Sequence, residues 1–289
     1  RRYKACHGRE AARAGEALVA RPFAGLPGEP DWVALREVVP AATAPLALAP
    51  DLAAEHGGVS VTLSTVLPLA WPALRRADGA VLLGLQTHTA SGDPSRDVAA
   101  ALLRALAAEP GTPVVPAGLP EAGPRLQDVL DLSAPLQVTV HEGFDYWIEG
   151  ADEAGPEVRS SLERANAAVV PTVRLTGVEA AYWCRMRERD HRRWVMPHEE
   201  EALLDALARL AVAGASSLGE GTRYVGSFRA HGLLVPVWDL VPGAPAEAVE
   251  EPAAAFGQRL EEALASSAPL TAEERRARQG LMSRQVTLR

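Results

Sequence analysis

Apolar, β-branched and charged positions follow a distinct order between residues 169 and 240. The run 169–176 is apolar and rich in β-branched residues, which is typical of a strand. Four further segments have the composition of strands in two hairpins: 182–186 with 193–196 around the charged tip RERDH, and 223–229 with 233–240. Between these hairpins, Pro197 predicts the first turn of a helix with leucines on one face, and Gly214 predicts its end. The order indicates a β-rich layer backed by a helix.

A similar order of signals occurs earlier in the chain, before residue 169, over a longer stretch. Three segments have strand patterns: 59–66, 80–87 and 136–142. Asp93 and Pro94 predict a helix start, Gly111 its end, and Gly143 a turn followed by the strand FDYWIE. We therefore predict an α+β fold of two related β-rich lobes backed by helices, with an internal duplication and a C-terminal helical segment. The alternative is that two proline-to-glycine helices arise by chance in a chain rich in alanine and leucine.

Segments rich in proline and glycine divide the chain into parts. We predict five parts: a terminal motif at 1–8, a helix and linker at 9–30, a first lobe at 31–150, a second lobe at 151–242, and C-terminal helices at 243–289. In the last part, residues 253–264 have an amphipathic pattern. Thr271, with Glu274 three positions later, predicts the N-terminus of a final helix.

Composition excludes several classes of function. The chain has 289 residues, 47% of them hydrophobic, which is enough for a packed core. Its net charge of -8 argues against binding to nucleic acid or anionic lipid that is mainly electrostatic. No apolar run is long enough for a membrane span, and two cysteines predict a cytoplasmic protein with reduced thiols. The only lysine is Lys4, so a P-loop and lysine-based covalent catalysis in the folded body are excluded.

A dense basic cluster surrounds the tip of the first hairpin. Arg187, Arg189 and Arg192 are interleaved with acidic residues, which favours a solvated tip over a phosphate-binding surface. The alternative is a local contact of these arginines with RNA.

Two sets of titratable residues are candidates for chemistry. The first is a polar set: His141, Glu142, Asp145 and His231. A cleft between the lobes that collected this set would indicate an enzyme or a small-ligand receptor, and the alternative is a solvated hairpin end. The second is Cys184 with His191, the residue types of a nucleophile and its base, although the neighbouring Tyr182 and Trp183 favour a packed and unreactive thiol.

The N-terminal stretch RRYKACHG contains two residues of the types that bind zinc, Cys6 and His7. Zinc prefers four ligands, so these two alone would form an incomplete site. The stretch resembles the second half of the SEC-C zinc motif of the export ATPase SecA, C-x-C-x-S-G-x-x-Y-K-x-C followed by Cys or His, with Tyr3 and Lys4 at the specified positions. Because the chain starts with Arg1 and not with Met, we expect that it begins inside a longer protein or after processing, and that a full-length form with the first half of the motif binds zinc. The alternative is a frayed terminus with an incidental Cys-His pair.

Further segments resemble an uncharacterised actinobacterial family labelled SecA-like, whose members often carry a SEC-C motif: RPFAGLPGEPDWVALREVVPAATAPL, LQTHTASGDPSRD, VTVHEGFDYW, ERANAAVVPTVRL, YWCRM and GLLVPVWDL. The resemblance covers residues 21–289 and implies no established activity. It implies a zinc module on a linker and a partner in the export machinery or on the ribosome. From the incomplete catalytic sets and this resemblance, we expect a non-catalytic cytoplasmic binding or adaptor protein.

Overall fold

The computed structural model describes residues 18–88, 91–116, 118, 122–148, 155–187 and 189–283. These residues form an α+β fold with eight helices and two sheets, of six and five strands, which confirms the predicted fold class and the C-terminal helices. The chain divides into two compact units. Among the described residues, unit 1 combines those up to Pro27 with those of Thr43–Gln137, and unit 2 combines Gly28–Ala42 with those from Val138 onward.

The helices and strands are numbered in chain order. The helices are α1 (Glu29–Glu37), α2 (Pro50–Glu55), α3 (Pro94–Ala107), α4 (Leu126–Val129), α5 (Pro156–Asn166), α6 (Glu200–Val212), α7 (Glu250–Leu264) and α8 (Ala272–Ser283). The strands are β1 (Ala42–Leu46), β2 (Val61–Ser64), β3 (Ala73–Arg75), β4 (Val81–Gly84), β5 (Pro113–Val114), β6 (Thr139–Val140), β7 (Thr172–Arg174), β8 (Ala181–Met186), β9 (Arg189–Trp194), β10 (Arg223–Ala230) and β11 (Leu233–Asp239).

The strands of unit 1 lie in the mixed six-stranded sheet, in the order β5-β3-β4-β2-β1. Strands β2 and β4 run parallel, whereas the other pairs in this order are antiparallel. Helix α3 follows β4 and begins at Pro94, where the side chain of Asp93 accepts hydrogen bonds from the backbone N–H groups of Ser95 and Arg96. Arg125 holds that cap in place with a 2.8 Å ion pair to Asp93. The predicted N-cap is therefore present.

Unit 2 has an antiparallel sheet with the order β10-β11-β9-β8-β7. Both predicted hairpins are present, as β8–β9 and β10–β11. The second hairpin turns at His231 and Gly232, whose φ angles of 46° and 83° are the left-handed values that tight two-residue hairpin turns require. The tip of the first hairpin is shorter than predicted, because β9 already begins at Arg189.

The core of unit 2 lies between one face of its sheet and helices α6 and α7. Trp183, Trp194 and Trp238 project from β8, β9 and β11 into this core. Phe256 of α7 meets the Trp238 ring edge-on, with the ring centroids 5.1 Å apart. Successive side chains of a strand point to opposite sides of a sheet, so every second residue of each strand faces this core.

Helix α1 belongs to unit 2 although it is distant from the sheet in sequence. Its Asp31 is 2% exposed and accepts hydrogen bonds from Tyr182 Oη at 2.5 Å and from Arg174 Nη2 at 2.8 Å. Tyr182 is fully buried, so its hydroxyl needs this partner. The carboxylate therefore ties α1 to β7 and β8.

Some elements differ from the prediction. Residues 144–148 of the segment FDYWIE do not form a strand: the structure has a 3-10 turn at Asp145–Trp147, and Glu149 lies outside the described residues. The elements β1, β3 and α2 were not predicted, since each is short and has little periodicity. The two sheets also have different topologies, so the internal duplication has no counterpart in strand order. The compact units group the residues differently from the predicted lobes 31–150 and 151–242, because α1 lies with the second sheet.

Candidate functional site

The residues after β6 form a cluster of rings, here called the aromatic corner: His141, Phe144, Tyr146 and Trp147. The Phe144 and Trp147 rings are stacked with centroids 4.3 Å apart, and the His141 and Tyr146 rings are tilted against each other at 4.8 Å. The 3-10 turn brings the rings together, since the Trp147 N–H donates to the Phe144 carbonyl oxygen at 2.9 Å. Phe144 is buried, whereas the other three residues are half-buried. Each of those three keeps part of its surface accessible.

Asn166, the last residue of α5, holds the turn of the aromatic corner. Its Oδ1 accepts a hydrogen bond from the Phe144 N–H at 2.7 Å, and its Nδ2 donates to Asp145 Oδ2 at 3.2 Å. A Cβ atom at Gly143 would lie 2.6 Å from the Asn166 side-chain amide carbon, so only glycine permits this approach. Asn166 was not predicted as a site residue, because its partners lie 22 and 21 positions away in sequence.

The aromatic corner has a neutral imidazole and two exposed carboxylates. Burial lowers the pKa of His141 below its ordinary value of 6.5, and the charge of Asp145 opposes this shift. The imidazole is therefore mostly uncharged at pH 7. Glu142 and Asp145 are exposed beside the rings. Three of the four residues of the predicted polar set thus lie in one turn that presents aromatic surface and negative charge.

The fourth residue of that set, His231, lies at the turn between β10 and β11. Its Nε2 is 2.8 Å from Glu37 Oε1 at the end of α1. This hydrogen bond lowers the pKa of Glu37, and burial of the carboxyl opposes the shift. His231 therefore fastens the hairpin to the helix.

The three arginines of the predicted basic hairpin have unlike surroundings. Arg187 and Arg189 are exposed, and Arg187 occupies the tip with a φ of 59°. Arg192 is 0% exposed. The prediction of a solvated tip does not hold for Arg192, because the alternation along β9 directs its side chain into the core.

The guanidinium group of Arg192 is enclosed by aromatic rings. Its central carbon lies 4.0 Å from the centroid of the Trp194 ring and 5.4 Å from that of Trp238. Burial lowers the pKa of Arg192 to about 9, and the charge of Glu250 opposes this effect. None of its three nitrogens has a hydrogen-bond partner among the described residues. The sequence pattern did not predict this environment, because the charged composition of the segment indicated a solvent-exposed hairpin tip.

Cys184 and His191 lie opposite each other on β8 and β9, and Asp239 on β11 is the next cross-strand neighbour. His191 Nδ1 is 3.0 Å from Asp239 Oδ1, although the angle is unsuitable for a hydrogen bond. Burial raises the pKa of the Cys184 thiol, which is 1% exposed. These three residues are of the types that form a nucleophilic triad. Burial, however, disfavours the thiolate that would attack a substrate.

No group of three or more His, Cys, Asp or Glu residues in the described ranges is arranged to hold a metal ion. Cys6 and His7 lie outside those ranges. Every helix within the described part of the chain is too short or too polar to cross a bilayer.

Comparison with known proteins corrects the predicted family context. No SEC-C family model matches the chain, so its identification with a family that carries this zinc motif is wrong. The shared Tyr-Lys-x-Cys-His stretch is too short to indicate common descent. Neither the curated proteins nor the solved structures contain a match. One family model covers residues 22–289, and the chain belongs to that family, which is described as a family of unknown function (DUF5926).

Proposed function

We propose that this protein is a non-catalytic, cytoplasmic binding protein whose aromatic corner docks a basic segment of a partner protein. The observation that carries the proposal is the half-buried set of His141, Tyr146 and Trp147 rings, on a turn held by Asn166. Aromatic side chains supply large contact areas with few rotatable bonds, and they are the commonest centres of binding energy at protein interfaces. A turn that is already ordered loses little entropy when a partner binds.

Charge favours a cationic partner. Glu142 and Asp145 are exposed beside the rings, and the whole chain has a net charge of -8. An arginine or lysine side chain could lie over the face of an aromatic ring while its charge approaches a carboxylate. Such complementarity speeds association with basic segments and disfavours nucleic acid.

The chemistry of the described residues supports binding more than catalysis. His141 could act as a base because burial keeps its imidazole neutral, but the turn 141–148 contains no serine, threonine or cysteine for it to activate. The Cys184 thiol is buried, and burial raises its pKa. The link to protein export or the ribosome depended on the SEC-C motif and loses its support with it.

The proposal can be tested with defined peptides. Octapeptides with two arginines in a Gly/Ser background, and the same peptides with citrulline in place of arginine, would be titrated against the full chain by calorimetry. We expect the arginine peptides to bind and the citrulline peptides to bind at least about tenfold more weakly, since the cation supplies both ring and carboxylate contacts. Trp147→Ala should weaken binding of the arginine peptides by about tenfold or more.

A matched pair of variants separates local recognition from overall charge. Glu142→Gln with Asp145→Asn removes two carboxylates from the aromatic corner, and Glu157→Gln with Glu163→Gln removes two exposed carboxylates from α5. Only the first pair should weaken binding by more than about threefold at 0.15 M salt, where distant charges are screened. Equal losses from both pairs, or full affinity in Trp147→Ala, would refute the proposal.

A further inference from the structure

Buried hydrogen-bond donors without acceptors lie side by side on the core face of the sheet in unit 2. Arg192 and Trp183 are opposite each other on β9 and β8, so their side chains point to the same side of the sheet. Arg192 Nε, Nη1 and Nη2 and Trp183 Nε1 are all inaccessible to solvent, and none has a hydrogen-bond partner among the described residues. Arg192 is 0% exposed and Trp183 is 6% exposed.

The aromatic neighbours of Arg192 leave this need for an acceptor in place. The Trp194 ring covers a face of the guanidinium group at 4.0 Å, and such contacts stabilise the cation. The N–H bonds, however, lie in the plane of the group and point away from its faces. An arginine has five such donors and no acceptor. It keeps its proton at neutral pH, so it does not lose its charge by deprotonation.

The carboxylates near Arg192 are bound to other groups. Glu250 accepts hydrogen bonds from the N–H groups of Thr176 and Gly177. Asp190 accepts from Arg185 Nε and from the Gly243 N–H, each at 2.7 Å. Each carboxylate therefore stabilises a turn or a hairpin, and neither one accepts a hydrogen bond from Arg192.

Arg192 has no hydrogen-bonded counter-ion among the described residues. Three guanidinium groups, those of Arg185, Arg192 and Arg259, accompany the two carboxylates of Asp190 and Glu250. Arg259 lies over the Phe256 ring and donates to the Ser217 carbonyl oxygen, a neutral acceptor. A monovalent anion beside Arg192 would supply the missing counter-ion.

We propose that unit 2 binds a monovalent anion of the size of chloride in its interior, with the Arg192 guanidinium and the Trp183 indole N–H as its hydrogen-bond donors. The aromatic walls around the donors favour a compact ion, since a large oxyanion would have to displace packed rings. The anion gains charge-assisted hydrogen bonds, and the donors gain the acceptor that a buried polar group requires. This site is separate from the aromatic corner and does not depend on its function.

The test is chloride-35 NMR on the full chain, because a chloride ion that exchanges with a protein site gives a broadened resonance. We expect excess line broadening that saturates with chloride and disappears when bromide competes. Arg192→Met should abolish the excess broadening. Arg189→Met, which removes an exposed arginine from the same strand, should leave it unchanged.

A second variant covers the case in which Arg192→Met does not fold. Trp183→Phe keeps an aromatic ring and removes the N–H donor, so it should weaken chloride binding by about tenfold, the usual effect of losing one hydrogen bond to a charged group. The melting temperature gives an independent measurement. At constant ionic strength, with methanesulfonate as the replacement ion, that of the wild type should rise by about 3 °C per tenfold increase in chloride above the dissociation constant.

Three results would overturn the proposal. They are broadening in Arg192→Met equal to the wild type, chloride affinity in Trp183→Phe equal to the wild type, and a melting temperature that does not change when chloride replaces methanesulfonate. Any of them would mean that water or the aromatic rings alone satisfy Arg192.

Discussion

Arg189 and Arg192 lie on the same strand but have opposite surroundings. Three positions separate them, so they point to opposite sides of the sheet, and Arg189 is exposed whereas Arg192 is fully buried. A run of alternating charges is usually a solvated surface, and the composition of this segment indicated one. The aromatic residues that receive Arg192 come partly from β11, more than 40 positions later, and no local pattern could reveal them.

Asp190 offers a residue-scale prediction on the same face. Its side chain is 2% exposed and joins Arg185 to the Gly243 N–H. Asp190→Asn would keep the shape but place an amide N–H against one of these donors, so we expect it to lower the free energy of unfolding by about 2 kcal/mol at pH 7. Arg185→Met should cost less, because the Arg185 side chain is 42% exposed and screened by solvent.

The effect of Asp190→Asn should depend on pH. The hydrogen bond from Arg185 lowers the pKa of Asp190 below its ordinary value of 3.8, against the effect of burial. The carboxylate therefore contributes its full stability above pH 3.8 and loses it as the pH falls through the lower value in the folded state. Urea unfolding at pH 7, 5 and 3 should show a difference between variant and wild type that shrinks at pH 3. A constant difference would contradict this account.

At the scale of elements, the start of α3 and the end of α6 were predicted well, whereas α6 begins at Glu200 and not at Pro197, and α3 ends at Ala107, before Gly111. Asp93 with Pro94 starts α3, and Gly214, with a φ of 68°, follows the end of α6. Each signal acts on backbone groups within one turn, so it can be recognised in a single segment. Hairpin β10–β11 was predicted for the same reason, since its turn is local.

The aromatic corner shows why other elements could not be predicted. The segment FDYWIE has the composition of a strand, but strand propensity mostly reflects packing against neighbouring strands. Here the turn is held instead by Asn166, which comes from a helix 22 positions later. The polar residues His141 and Asp145 were recognised as candidates, whereas the half-buried rings that give the corner its surface were assigned to a strand.

The start of α8 offers an element-scale prediction. Glu274 donates its backbone N–H to Thr271 Oγ1 at 3.2 Å, and its carboxylate accepts from the Thr271 N–H at 2.6 Å. Thr271→Ala should destabilise the helix by about 1 kcal/mol, the usual loss for a threonine cap. Hydrogen exchange of the α8 amides should accelerate, while that of α3 stays unchanged. Thr271→Ser keeps the hydroxyl and is the matched control. Equal acceleration in both variants would show that the cap does not stabilise α8.

At the scale of the whole molecule, similar local signals led to different topologies. A proline-to-glycine helix follows strands in both halves of the chain, yet unit 1 pairs β2 and β4 in parallel and unit 2 is antiparallel throughout. Strand pairing is non-local, so the order of elements does not determine it. Helix α1 illustrates this point, because it precedes the strands of unit 1 and belongs to unit 2.

The bond between Asp31 and its partners should therefore govern how unit 2 unfolds. Asp31 lies 143 positions before Arg174 and 151 positions before Tyr182. Asp31→Ala would leave the buried Tyr182 hydroxyl without its acceptor and remove the counter-ion of Arg174. We expect a loss of about 3 kcal/mol in the free energy of unfolding, which is below the largest values for buried pairs because the Arg174 side chain is 30% exposed.

A double-mutant cycle separates this bond from a general effect on α1. Tyr182→Phe removes only the hydroxyl, and it should cost less in the Asp31→Ala background than in the wild type, because the hydrogen bond is already lost there. The coupling free energy measured by urea unfolding should be about 1 kcal/mol or more. Asp51→Asn, an exposed carboxylate on α2, should change stability little. Additive effects of the two substitutions would mean that the hydrogen bond from Tyr182 to Asp31 does not stabilise unit 2, and would contradict this account.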